Sequence, residues 1–126
     1  MTSALVNPEF WKGRRILLTG HTGFKGAWAS AWLAKMGAVV TGISLPAVGD
    51  QSLYDSIKNQ LPLTSRYIDI RDAETLSAAV RECNPEIVLH MAAQALVRRS
   101  YREPVQTYET NVMGTVNLLE ALRGAE

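Results

Sequence analysis

Cysteine is almost absent from this sequence. Cys83 is the single one, so no intrachain disulfide can staple the fold and no Cys-x-x-Cys pair can begin a zinc site. A reducing, cytoplasmic setting fits that usage, and no metal site is expected. A surplus of charge is also missing. Lys and Arg total 13 against 12 Asp and Glu, a net charge of +1, which sets up no long-range field for a polyanion or an acidic bilayer. Neither nucleic acid nor a membrane surface is therefore an expected partner. No stretch reaches the ~18 consecutive apolar residues needed to span a bilayer. The start of the chain, interrupted by Asn7, Pro8, Glu9 and Lys12, lacks the unbroken apolar centre of a signal peptide. Internal repeats and low-complexity runs are lacking too. What remains is a 126-residue chain of one-domain size, able to bury roughly two thirds of its unfolded surface.

Strand-like and helix-like periods alternate along it, the order of βαβ units. Residues 15–19 (RILLT) form a short apolar run between Gly13 and Gly20, suited to a strand buried on both faces. Trp28, Trp32 and Met36 then recur every four residues beside Ala29 and Leu33, an apolar stripe that reads as the core face of a helix stopped by Gly37. Residues 38–44 (AVVTGIS) supply a second strand about 30 residues after the first, the span of one βαβ unit. A partly irregular connection follows, interrupted by Pro46, Gly49, Asp50, Asn59 and Pro62, with room for a short helix over 53–58. Residues 66–70 read as a third strand. Asp72 caps a helix carrying Leu76, Ala79, Val80 and Cys83, stopped by Pro85, and residues 86–91 read as a fourth strand. Pro104 opens a last helix with Val105, Tyr108, Val112, Val116 and Leu119 at helical spacing, ended by Gly124. The expected fold class is α/β, a Rossmann-like doubly wound parallel sheet truncated after about four strands, where such folds continue with a fifth.

Three glycines carry the chemistry. Gly20, Gly23 and Gly26 stand at three-residue intervals in GHTGFKG, directly after the first strand and opening the first long helix. A dinucleotide pyrophosphate needs backbone N–H groups aimed from a helix N-terminus, with no Cβ to hold the backbone away. In that pattern Gly20 makes the turn out of the strand, Gly23 admits the phosphates, and Gly26 lets helix and sheet pack closely. A P-loop would need Gly-Lys followed by Ser or Thr, whereas Lys25 precedes Gly26 and Ala27 follows it. The fingerprint usually adds an acid at the end of the second strand to bind the adenosine ribose. Here Ser44 stands near that place and the first acid is Asp50. No arginine between Lys25 and Arg66 is available for the 2′-phosphate of NADP, which leaves NAD as the expected cofactor.

Further candidates sit where such a cofactor would lie, at the carboxyl ends of strands three and four. Asp69 can accept from an adenine amino group while Ile70 covers the ring, and Ala92 and Ala93 leave room over the backbone. Arg98 suits a substrate diphosphate through its guanidinium fork; Arg99 reads as a solvated loop charge. His90, within an apolar strand, reads as a satisfied core histidine, and Trp28 and Trp32 as core.

GHTGFKG, DIRD at 69–72, HMAAQALVRRSY at 90–101 and TNVMGTVNLLEA at 110–121 together resemble the extended short-chain dehydrogenase/reductase family. Within it the likeness is to nucleotide-sugar 4,6-dehydratases acting on CDP-glucose, and it runs through nearly the whole chain from Asn7. The resemblance implies a cytoplasmic, NAD-dependent lyase of polysaccharide biosynthesis that oxidises the sugar at C4, eliminates water across C5 and C6, and returns the hydride to C6. It implies that Gly20, Thr22, Gly23, Phe24 and Lys25 line the pyrophosphate, with Gly26 beneath, that Asp69 and Ile70 meet the adenine, and that Ala92, Ala93 and Asn111 meet the ribose and nicotinamide side. Gln94, Arg98 and Tyr101 would face the sugar nucleotide.

The family's base is a tyrosine four residues before a lysine, on a helix after a fifth strand. Tyr54 and Lys58 have that spacing but fall between strands two and three, and are expected to be a coincidence. No catalytic residue is therefore assigned. Residues 1–126 read as the NAD-binding Rossmann domain of such an enzyme, without its catalytic and substrate part and inactive alone. The alternatives are a non-catalytic dinucleotide-binding or regulatory module, or another extended short-chain epimerase or dehydratase. The helix from Pro104 resembles the one through which this family dimerises, so a homo-oligomer is expected.

Overall fold

Four parallel strands in the order β3-β2-β1-β4 form the frame. The structure, a computed structural model, describes residues 5–49 and 51–125; Asp50, the first acid after the second strand, lies outside the described residues. A short helix α1 (Pro8–Trp11) leads into β1 (Arg15–Thr19). Ile16, Leu17 and Leu18 are all fully buried, because helices cover both faces and β1 has a strand on either side. Leu17 aligns with Thr41 of β2 (Val39–Ser44) and with Val88 of β4 (Ile87–His90). Side chains alternate across the sheet, so Ile16 and Leu18 join Leu33, Ala38 and Val40 in one core, while Leu17 and Ile43 join Ile68, Leu76, Val80 and Leu118 in the other. β2 and β4 each run slightly shorter than the expected 38–44 and 86–91.

The crossover helix α2 (Phe24–Lys35) has the expected place but turns the other face inward. Gly26, Ala27, Ser30 and Leu33 are buried, while Trp28 and Trp32 are each 57% exposed. The expectation that the two tryptophans are core is thereby corrected. Two rows of this helix are free of charge, and the row of small residues allows the closer approach to the sheet. Ser30 costs little there because its hydroxyl donates to Gly26 O at 2.8 Å.

After β2 come α3 (Leu53–Ile57) and a 3₁₀ turn, Lys58–Gln60. The third strand, β3, is Leu63–Tyr67 rather than 66–70. It is an edge strand, so it tolerates the polar Thr64 and Ser65, and it ends where its sole partner ends, with Tyr67 opposite Ser44. Ile68 and Ile70 leave the sheet and drop into the core. Helix α4 (Ala73–Cys83) matches the expected one: Asp72 accepts from Thr75 N at 3.1 Å, and Asn84 ends it in the left-handed conformation, φ 43°.

Beyond β4 the single expected helix is broken into pieces. α5 (Val97–Arg102) was not anticipated; α6 (Pro104–Tyr108) starts at Pro104, a π turn spans Glu109–Met113, and α7 (Gly114–Arg123) follows. Gly114, Leu118 and Ala121 face the core, whereas Val105, Tyr108, Val112, Val116 and Leu119 are all 46% exposed or more. No helix among the described residues is long and apolar enough to cross a membrane, and no cluster there could hold a metal ion.

Candidate functional site

The chain reverses its order of strands between β1 and β4: β2 and β3 lie to one side of β1, β4 to the other. Such a switch point opens a crevice at the carboxyl ends of the strands. Here it is a cleft of about 600 Å³ walled by the glycine turn, the β2–α3 connection, residues 68–71 and residues 91–96, a volume in the range of small-molecule and cofactor sites.

The glycine turn is set by close backbone contacts. Gly20 has φ +83° and its N–H donates to Ile43 O at 2.8 Å. A Cβ at Gly20 would come within 2.8 Å of the backbone of Met91 and Ala92, and one at Gly26 would overlap the Gly20 carbonyl oxygen. Gly23 differs: its Cβ would meet nothing closer than Gly20 O at 3.4 Å. The fold thus requires glycine at 20 and 26, and leaves the space over Gly23 open toward the cleft. Gly23 is also the N-cap of α2 with no side chain to satisfy the helix's first N–H groups, so they remain available to a ligand.

His21 anchors this turn from below. Its ring is fully buried, lies over Gly42 where any Cβ would overlap it, and meets Tyr54 edge-on at 5.1 Å. Nε2 pairs with Ser65 Oγ at 2.6 Å, while Nδ1 has no hydrogen-bond partner among the described residues. Burial pushes its pKa down to about 4, so it is neutral near pH 7. Thr22 is tied to the end of β2, its hydroxyl 2.8 Å from both Ser44 Oγ and Leu45 O.

Gly20, Thr22, Gly23, Phe24, Asp69, Ile70, Ala92, Ala93 and Gln94 all line the cleft, brought together from three separate segments. Asp69 and Ile70 do so from the loop after β3, not from its last residues. The Asp69 carboxylate accepts from Arg71 (2.7 Å from Nη2), which holds its pKa below the usual range, and Arg71 reaches on to Glu109 at 3.4 Å. Lys25 is exposed in the first turn of α2 and Gly26 lies beneath the turn, both outside the lining. Asn111 stands behind the wall, where its side chain holds Gln94 by both backbone groups, Gln94 N to Oδ1 at 2.8 Å and Nδ2 to Gln94 O at 3.1 Å.

Arg99 lines the cleft, with its guanidinium held by Glu103 Oε2 and Gln106 Oε1, each at 2.7 Å. It is on a helix, not in a solvated loop as expected. Arg98 and Tyr101 are exposed on α5, outside the lining; Tyr101 is 83% exposed. The Arg-x-x-x-Glu spacing of Arg99 and Glu103 was the signal that could have revealed α5. Ser44 is the other missed contributor, a buried wall residue where an acid was sought. His90 is a satisfied histidine as expected, paired with Thr19 Oγ1 at 2.6 Å and Thr115 Oγ1 at 2.9 Å. Tyr54 is buried against His21 and Lys58 pairs with Asp55, so neither faces the cleft.

Comparison with known proteins places these features in a family. The sequence model of the family described as GDP-mannose 4,6 dehydratase matches residues 17–126. The chain is 50% identical over 119 residues to the CDP-glucose 4,6-dehydratase of Salmonella typhimurium, covering 94% of this chain and 33% of that protein. Among solved structures it is similar to the UDP-glucose 4-epimerase of Thermus thermophilus in complex with NAD, at 37% identity, TM-score 0.75, over 89% of this chain and 35% of that one. It is also similar to the UDP-glucose-4-epimerase of Stenotrophomonas maltophila with bound NAD and formylated UDP-arabinopyranose, at 29% identity and TM-score 0.78, over 89% and 34%. The chain therefore spans about a third of the length of the relatives it matches.

Proposed function

Because the chain belongs to the GDP-mannose 4,6-dehydratase family of extended short-chain dehydrogenase/reductases, we propose that residues 1–126 are the NAD-binding portion of a nucleotide-sugar 4,6-dehydratase acting on CDP-glucose. The observation that carries this reading is the glycine turn opening α2 at the strand-order switch, with the space over Gly23 left free. In an enzyme of this class NAD supplies the hydride acceptor for oxidation at C4 and the donor for return at C6.

The residues of this chain bind and orient. The N-terminus of α2, beginning at Phe24, offers N–H groups and the positive end of the helix dipole to the pyrophosphate, Gly23 leaves the approach open, its own N–H being bonded to Gly20 O, and Lys25 lies one residue beyond Phe24. Asp69 and Ile70 suit the adenine end, one as acceptor and one as apolar cover. Ala92 and Ala93 present short side chains beside the ribose and nicotinamide, with Asn111 fixing the wall through Gln94. Gln94 faces the sugar nucleotide; Arg98 and Tyr101 have that role by resemblance, and Arg99 supports it from the lining. Ser44, held by Thr22, stands where a ribose-binding acid is common, which puts the adenosine hydroxyls against a neutral group.

No proton-transfer residue is assigned among the described residues, so the 126-residue chain alone is inactive toward CDP-glucose. The exposed stripe from Val105 to Leu119 supports self-association into a homo-oligomer, and the charge balance supports neither a nucleic-acid nor a membrane partner. Cytoplasmic polysaccharide biosynthesis is the setting that fits this substrate class.

Calorimetric titration with NAD tests the reading. Gly23→Ala should leave the melting temperature near that of the parent while weakening NAD roughly tenfold or more, since the added methyl meets only Gly20 O within the protein. Equal NAD affinity in the two would overturn the assignment.

A further inference from the structure

Met91 to Gln94 form the cleft wall opposite the glycine turn, and hydrogen bonds of fixed direction converge on them. Thr19 Oγ1 accepts from Ala92 N at 3.1 Å and from Met91 N at 3.0 Å, the Met91 N–H being shared with the Thr19 carbonyl oxygen at 3.1 Å. Those two bonds use both lone pairs of the hydroxyl, so its one proton must go to His90 Nδ1, 2.6 Å away. Nδ1 is then an acceptor, and a neutral ring carries its proton on Nε2, which donates to Thr115 Oγ1 at 2.9 Å. Thr115 in turn donates to Asn111 O at 2.8 Å. Asn111 lies in the π turn, where the helical ladder is interrupted, and its side-chain amide grips Gln94 by N–H and C=O.

We propose that His90 is a positioning residue: as the Nε2–H tautomer it accepts from Thr19 Oγ1, which holds the Met91 and Ala92 amides, and donates to Thr115 Oγ1, which holds the carbonyl of Asn111, the residue whose side chain grips both backbone groups of Gln94. These bonds tie the end of β1, the end of β4 and the π turn to the same four wall residues. Gly20 faces the same wall with no room for a Cβ between them, since one would come within 2.8 Å of the Met91 and Ala92 backbone. The other tautomer, or an imidazolium, would aim a third N–H at Thr19 Oγ1, which already accepts two. The Ala92 bond, or the Met91 share of the hydroxyl, would then be lost, the Met91 N–H keeping its bond to Thr19 O. The groups facing the ring are hydroxyls, Thr19 from β1 and Thr115 from α7. Glu109, the charge in the π turn, is taken by Arg71, and burial alone depresses the titration of His90.

The consequence for ligand binding rests on the NAD reading above; the consequence for the wall does not. Two measurements on the intact protein separate them. Histidine-labelled nitrogen NMR of the unaltered protein at neutral pH should show His90 as the Nε2–H tautomer. An Nδ1–H tautomer or a charged ring overturns the proposal, whatever NAD does. Thr115→Val keeps the shape of the side chain but removes both of its hydrogen bonds, whereas Thr115→Ser keeps the hydroxyl. Amide exchange at Gln94 should quicken roughly tenfold in the valine variant and return toward the parent rate in the serine variant, and NAD affinity should follow the same order. Unchanged Gln94 exchange in Thr115→Val overturns the chain of bonds. If the parent protein fails to bind NAD, the functional reading falls while the tautomer and exchange results still decide this one; if Thr115→Val fails to fold, the tautomer decides it.

Discussion

The two walls of the cleft are built on opposite principles. The glycine turn is held by sterics between backbone atoms: Gly20 and Gly26 have no room for a methyl group, and His21 and Gly42 interlock beneath them. The wall at residues 91–94 is held by side-chain hydrogen bonds, from Thr19 and Asn111 directly and from His90 and Thr115 through them. A steric wall fails abruptly, since backbone cannot yield to a new atom. A hydrogen-bonded wall fails by degrees, each lost bond being partly replaced by water.

Gly26→Ala is the most severe way to break the comparison. Its Cβ would overlap a backbone oxygen rather than the end of a flexible side chain, so a loss of roughly 3 kcal/mol or more is expected, read by urea unfolding. An unchanged midpoint would mean that the turn is not sterically set. Next comes acid. The folded protein holds His21 neutral with a pKa of about 4 against 6.5 in the free side chain. The unfolded chain binds that proton first as pH falls, so the stabilisation is whole above pH 6.5 and is lost on the way down to about pH 4. The loss should be about 3 kcal/mol, and His90, also lowered by burial, adds to it in the same direction. Unfolding curves that stay level from pH 6.5 to 4 would contradict the buried neutral ring, and His21→Phe should flatten them. Asn111→Ala probes the other wall and should cost the least, about 1–2 kcal/mol, because the freed Gln94 groups are only partly buried. A loss as large as that of Gly26→Ala would erase the distinction between the walls.

Local signals made much of the fold legible. RILLT between two glycines placed β1 to the residue, and Asp72 with Pro85 bounded α4, because capping and short apolar runs act within a few residues. Of the residues that line the cleft, Gly20, Thr22, Gly23, Phe24, Asp69, Ile70, Ala92, Ala93 and Gln94 were legible because they follow strands whose order was recognisable. Arg99 was not, since choosing between adjacent arginines requires knowing that α5 exists and which side it turns to the cleft. The β3 boundary was missed for a related reason. Edge pairing with β2, not apolarity, decided where the strand stops.

Spacing alone could determine the alternation of strands and helices, the glycine turn at the head of α2 and hence the class of ligand, because those follow from backbone sterics and short-range capping. Only tertiary structure could decide which apolar row is buried. In α2 the small row of Gly26, Ser30 and Leu33 went inward and Trp28 and Trp32 outward, and in α7 Leu118 and Ala121 displaced Val116 and Leu119. A helix period is the same for both faces; the depth available over the sheet selects one. The tautomer of His90 is likewise invisible in HMAAQ, because Thr19, 71 residues away, supplies the proton that assigns it.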